Sequence, residues 1–159
     1  MRAASAQEIK QELATVRPQQ LMELCLRLSR FKKENKELLT YLLFEAQDEA
    51  GYINGIRKEL DEIFAEINLS HLYYAKKTLR RIIRIINKYS RYSGKKETDV
   101  ELRLHFLLRL KETGIPIRRN KPILNMYEAQ LKKITASLKG IHEELARDYA
   151  KEMEKILEG

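Results

Sequence analysis

Little in this chain breaks a helix. Three prolines and six glycines punctuate 159 residues, too few for the turns of a many-stranded fold. A single cysteine, Cys25, excludes an internal disulfide. Its place in Leu24-Cys25-Leu26-Arg27-Leu28, on the apolar side of a helical pattern, marks it as a buried core thiol. Long hydrophobic runs are missing too. The longest uncharged apolar stretch, residues 38–44, is far shorter than the roughly 20 residues that cross a bilayer as a helix, and residues 1–10 hold no apolar signal core. No membrane span is expected, and a cytoplasmic location is. With 43% hydrophobic and 34% charged residues, the composition favours helix formers. The expectation is one all-α domain over residues 1–159.

Catalytic signatures are equally scarce. His71, His105 and His142 are the three histidines. None stands in a zincin motif or three residues after a glutamate, so the familiar zinc and di-iron patterns are absent. There is no glycine-rich phosphate loop and no nucleophile elbow. Glu101, His105 and Arg109 do recur at i, i+4 with Glu112 nearby, a spacing that can orient an imidazole for acid–base work, but a surface ion pair is the plainer reading. Glu45, Asp48 and Glu49 form an acidic cluster with no His or Cys beside it. The expectation is a non-enzymatic protein without metal or cofactor. A hydrolase with scattered catalytic groups is the remaining enzymatic reading, and Glu101 is the residue to test in it.

What is present is helical punctuation. Ser5-Ala6-Gln7-Glu8 has the form of a capping box and predicts a short helix to about residue 16. Pro18 suits the first turn of the next helix, where Leu21, Leu24, Cys25, Leu28 and Phe31 recur at i, i+3, i+4 to about residue 32. Beyond Lys33-Glu34-Asn35-Lys36 the pattern resumes at Leu38 and extends through Ile53, Ile56, Leu60 and Ile63 to Ile67. Gly51 and Gly55 leave one kinked helix or two open. Ser70 is the expected N-cap of a helix to about residue 91, stopped by Ser93-Gly94. Thr98-Asp99-Val100-Glu101 reads as a second capping box, opening a helix to Thr113, with Gly114 and Pro116 as its stop. From residue 123 to about 157 only Gly140 interrupts, so the last helix is expected to run roughly 50 Å at 1.5 Å per residue.

The charge is concentrated. Residues 67–121 carry fifteen Lys or Arg against four acids, +11, while the rest of the chain nearly balances, so the net +8 resides in this third. On a helical wheel Lys77, Arg80, Arg81, Arg84, Lys88 and Arg91 fall within a sector about 100° wide. Leu72, Ala75, Leu79, Ile82 and Ile86 lie opposite. Tyr73 and Tyr74 flank the basic sector, where they can stack on bases, and Lys95, Lys96, Arg118, Arg119 and Lys121 sit in connectors that extend it. Positive potential gathered this way attracts polyanions. The competing reading is a solvated face whose charges pair with Glu59, Asp61, Glu62 and Glu66 upstream or with Glu143, Glu144, Asp148, Glu152 and Glu154 near the end. Surface pairs contribute only about 0 to 1 kcal/mol each, so such pairing does not call for so many cations.

In the last predicted helix Leu124, Tyr127, Leu131, Ile134, Leu138, Ile141 and Leu145 alternate steps of three and four, a seam for a dimer or for the chain's own helices. A weak echo pairs residues 24–31 with 82–89, each an apolar run ending in an aromatic. About six helices are therefore expected, in an antiparallel bundle or a short HEAT-like stack of hairpins ending in one long helix. The segment Leu28-Ser29-Arg30-Phe31-Lys32-Lys33-Glu34-Asn35-Lys36-Glu37-Leu38-Leu39 within residues 24–46, with Lys76-Lys77-Thr78-Leu79-Arg80-Arg81-Ile82-Ile83-Arg84 within 75–89, resembles a family of uncharacterised bacterial helical proteins over most of the chain. That resemblance implies no activity, substrate or site residue. Two functional expectations follow. The first is a binding module whose basic helix face engages nucleic acid or a nucleoprotein, or else an acidic protein surface. The second is a protein-interaction scaffold, self-associating as a homodimer through its C-terminal helix.

Overall fold

The computed structural model describes residues 1–158. Among them are eight α-helices and no strand, an all-helical fold with more and shorter helices than the six expected. The chain divides into two compact units, residues 1–44 and residues 45 onward.

The first unit holds α1 (Ala6–Leu13), α2 (Pro18–Phe31) and α3 (Lys33–Thr40). The predicted capping box opens α1: the Ser5 N–H donates to Glu8 Oε2 at 2.6 Å and the Glu8 N–H to Ser5 Oγ at 3.3 Å. Pro18 occupies the first turn of α2. At Lys32 the backbone turns extended (φ −142°, ψ 147°) and ends α2. Helices α2 and α3 then pack on each other, tied by Asn35 Nδ2, which donates to the Leu28 carbonyl at 2.9 Å. Cys25, expected in a core, is only half-buried beside Leu28, Leu38 and Leu39. Two short helices in contact cannot enclose a side chain on all sides, and no residue of α1, α2 or α3 is fully buried.

A π-helical turn, Tyr41–Glu45, follows α3 and divides the apolar run predicted for residues 38–67 well before its glycines. Asp48 caps α4 (Glu49–Ala65), accepting from the Gly51 N–H at 3.0 Å, so Gly51 and Gly55 both lie inside one helix. The rest of the second unit is α5 (Leu72–Ser93), α6 (Lys96–Glu112), α7 (Lys121–Leu138) and α8 (Glu143–Glu158).

Helix α6 is the hub, packed against α4, α5, α7 and α8. Val100, Leu102, Leu104, Phe106, Leu107 and Leu110 are at most 1% exposed, because a helix apolar around its circumference must be covered on every side. The Phe64 and Phe106 rings meet with centroids 5.8 Å apart. Successive helices reverse direction. Tyr52 Oη donates to the Tyr89 carbonyl between the start of α4 and the end of α5, at 3.1 Å. Arg57 of α4 and Tyr149 of α8 both reach Glu101 of α6, at 3.0 and 2.7 Å.

Two glycines stop helices as their positions predict: Gly94 (φ 68°) after α5 and Gly114 (φ 71°) after α6 adopt the left-handed conformation that a Cβ disfavours. Three boundaries differ from expectation. His71, not Ser70, stands at the N-cap of α5, and the Ser70 N–H is instead held by Asn68 Oδ1 at 3.0 Å. Helix α6 begins before its predicted capping box; Thr98 is fully buried and its hydroxyl donates to Glu49 Oε1 at 2.5 Å, so the apparent cap is a tertiary contact. The single long final helix is in fact two. The chain turns at Gly140, where the Lys96 side chain passes so close that a Cβ would collide with it. The heptad stripe is thereby divided between α7 and α8, and Ile134, Tyr149 and Ile156 are buried within the unit.

Candidate nucleic-acid interface

Helix α5 divides its residues as the wheel predicts. Ala75, Leu79, Ile82 and Ile86 are fully buried against the unit's core. Lys77, Arg80, Arg81, Arg84 and Arg91 are exposed, and Lys88 is half-buried with its ammonium 4.6 Å from the Tyr89 ring centre. From Arg80 to Arg91 the helix rises about 16 Å. Tyr73 and Tyr74 stand at its start, 69% and 55% exposed, with rings edge to face at 5.4 Å. Among the described residues Lys77, Arg80, Arg81, Arg84 and Arg91 make no ion pair.

Three of the nine acids considered as partners for this row are engaged elsewhere. Asp61 meets Arg109 at 3.0 Å and His105 at 2.7 Å, Glu59 accepts from Tyr89 Oη at 3.0 Å, and Glu143 pairs with Arg147 at 3.1 Å. These contacts also dissolve the acid–base alignment on α6. Glu101 serves Arg57 and Tyr149, while His105 and Arg109 share Asp61 of α4, so Glu101 is committed to other partners than the imidazole one turn away. The acidic cluster before α4 is likewise structural: Asp48 caps the helix, and Glu49 takes Thr98, Ser93 and Lys95. Among the described residues no group of three His, Cys, Asp or Glu side chains is placed to hold a metal, and no helix is long and apolar enough to cross a membrane.

Helices α5 and α7 both rest on α6 with little direct contact between them, which leaves a groove along one edge of the basic face. Two hollows lie in it. One, of about 690 Å³, has Arg80, Arg84 and Lys121 at its sides and Ile83, Pro122 and Met126 as apolar lining. The other, of about 600 Å³, lies farther along and gathers Arg91, Lys95, Lys96 and Lys133 around Ser90 and Asp99.

A buried polar network connects the three helices beneath the groove. Arg103, 4% exposed, donates to Asp99 Oδ1 at 2.9 and 2.7 Å from Nε and Nη2, to Asn87 Oδ1 at 2.9 Å, and to Gln130 Oε1. Ser137 donates to the other Asp99 oxygen at 3.0 Å. Lys133 Nζ donates to Asn87 Oδ1 at 3.2 Å across the groove. Burial alone would raise the Asp99 carboxyl, but the Arg103 hydrogen bonds and charge, with the Ser137 and Ser90 hydroxyls, outweigh it and hold the group below its ordinary range. Lys133 is shifted down, first by burial and then by the Arg103 charge, with Asp99 opposing.

The basic row and the tyrosines were legible in the sequence; the groove was not. Asn87, Arg103, Gln130 and Lys133 come from three helices, and the one hint was the Lys132-Lys133 pair inside an otherwise apolar pattern. Of the connector cations, Lys121 and Lys96 border the hollows, Lys95 is paired with Glu49 at 3.1 Å, and Arg118 and Arg119 lie exposed in a short 3-10 turn, Ile117–Arg119. Compared with protein-family models, with curated proteins and with solved structures, the chain finds no match.

Proposed function

We propose that this protein is a non-enzymatic helical module that binds nucleic acid, alone or within a nucleoprotein, through its phosphates. The basic face of α5 is the working surface. One observation carries the reading: among the described residues five exposed cations of that face make no ion pair, in a sequence with 23 acids. Unpaired cations on one helix face release counterions from a polyanion on contact, the main source of affinity for phosphodiester backbones. Tyr73 and Tyr74 add exposed rings at the N-terminal end of the row, where bases can stack without regard to sequence. The predicted behaviour is sequence-tolerant binding whose logarithm falls linearly with log salt, with a slope of about −3 if four cations meet a single strand. Fluorescence anisotropy of labelled RNA and DNA across a salt series tests it, beside an Arg80→Glu/Arg84→Glu variant shown to be folded. Binding that weakens with salt and disappears in the variant agrees with the reading, and absence of binding at low salt contradicts it.

A second reading, the protein-interaction scaffold, draws support from the first unit, where Met22, Leu28 and Phe31 are 56%, 61% and 76% exposed. Light scattering over a range of concentrations tests its self-associating form, which a strict monomer would remove.

A further inference from the structure

We infer that the α5/α7 groove is a track for one nucleic-acid strand, with its phosphates held by Arg80, Arg84 and Lys121 at one hollow and by Arg91, Lys96 and Lys133 at the other. The inference rests on the proposed function and narrows it from a broad basic face to a defined path and to single-stranded ligands.

Three observations support the path. The cations on the two sides of the groove come from α5, α6 and α7, so three separate helices converge charge on one channel. Its one lining carboxylate, Asp99, is already bonded by Arg103 and Ser137, which leaves the six cations in excess. The first turns of two helices also open there: Lys96 begins α6 and Lys121 begins α7, and the partial positive charge of a helix N-terminus adds to a cationic site.

The shape favours one strand over two. Each hollow is open along the groove and, at about 600 and 690 Å³, has room for a nucleotide without enclosing it. Ile83, Pro122 and Met126 give the first hollow an apolar lining suited to a sugar or a base edge. A duplex, with phosphates on the outside of a rod, would rest on the outer rim and leave this lining empty. Lys133 is also poised for an anion. Its ammonium and the Arg103 guanidinium both donate to Asn87 Oδ1, and a neighbouring phosphate would offset the repulsion between the two cations.

The inference separates two pairs of cations with equal total charge. Lys121 and Lys133 belong to the groove, whereas Lys77 and Arg81 lie toward the other side of the α5 face; all four are exposed. The experiment compares Lys121→Gln/Lys133→Gln with Lys77→Gln/Arg81→Gln on the full chain, each checked by circular dichroism for an unchanged fold. The probes are labelled oligothymidylate of about 12 nucleotides and a duplex of the same length. The groove pair is expected to weaken single-strand binding about tenfold or more and to reduce the salt slope by about 1.4, two contacts at about 0.7 each. The outer pair should cost no more than about threefold, and the single strand should bind more tightly than the duplex. Equal losses from both pairs, a larger loss from the outer pair, or tighter duplex binding would overturn the groove while leaving the basic face of α5 as the binding surface. No binding by the unmodified protein would remove both.

Discussion

Replacing Arg103 with methionine removes the guanidinium that joins three helices while keeping most of the aliphatic stem. The guanidinium is 4% exposed and donates to Asp99, Asn87 and Gln130. Breaking a buried ion pair from one side costs about 3 to 5 kcal/mol, because the partner is left desolvated and uncompensated. Asp99 keeps its Ser137 bond and a side chain 20% exposed, so partial rehydration places Arg103→Met near the lower limit, about 3 kcal/mol. For a chain of this size that corresponds to a fall in Tm of roughly 6 to 12 °C. Urea denaturation followed by circular dichroism gives the free energy directly. Adding Asp99→Asn should recover part of the loss, since removing both partners leaves less unsatisfied than removing one. The acid limb adds an independent check. Asp99 is held below its ordinary range in the folded chain, so the folded state binds fewer protons and the contribution is whole above about pH 4. It is lost as the pH falls through the lowered folded value. Without Arg103 the lowering vanishes, and acid unfolding should begin at higher pH than in the parent. A variant as stable as the parent at neutral pH, with an unchanged acid limb, would refute the reasoning.

Three further outcomes are expected. Gly94→Ala, at φ 68° with open space around the position, should cost about 1 to 2 kcal/mol through the left-handed backbone alone, readable as a shifted urea midpoint with an unchanged m-value. Leu79→Ala, at a fully buried position of α5, should cost about 2 to 5 kcal/mol by cavity formation and lost transfer energy, measurable in the same way. The Tyr149 phenol is pushed well above the usual tyrosine range by burial and by its hydrogen bond and charge contact with Glu101. Because its folded value is raised, its contribution is whole below about pH 10 and is lost as the pH climbs further. Tyr149→Phe should flatten the alkaline loss of stability and remove one late-ionising phenol from the ultraviolet titration.

Local signals in the sequence were strong where a residue acts through its own backbone. Ser5 and Glu8 cap α1, Pro18 opens α2, and Gly94 and Gly114 terminate helices in the conformation their chemistry favours. The α5 wheel separated buried from exposed positions because one helix against one core follows a single period. Tertiary competition governed the boundaries that differed. Thr98 resembles a cap from its neighbours alone, yet it is consumed by Glu49, 49 positions earlier in the chain. Gly140 resembles a tolerated interruption of a long helix until Lys96 is seen lying across it. The turn at Tyr41–Glu45 carries no proline or glycine, so nothing local announced it. The groove shares this property to the greatest degree. Its cations lie on α5, α6 and α7, and only the packing of those helices on a common hub brings them together.

The central claim is that the α5 face is cationic because it binds the phosphates of nucleic acid. Fluorescence anisotropy of labelled single- and double-stranded RNA and DNA, titrated with the protein across a salt series beside the folded Arg80→Glu/Arg84→Glu variant, tests it most directly. Micromolar or tighter binding that weakens steeply with salt and is lost in the variant is the expected result. No binding even at low salt, or binding that survives the double charge reversal, would contradict it.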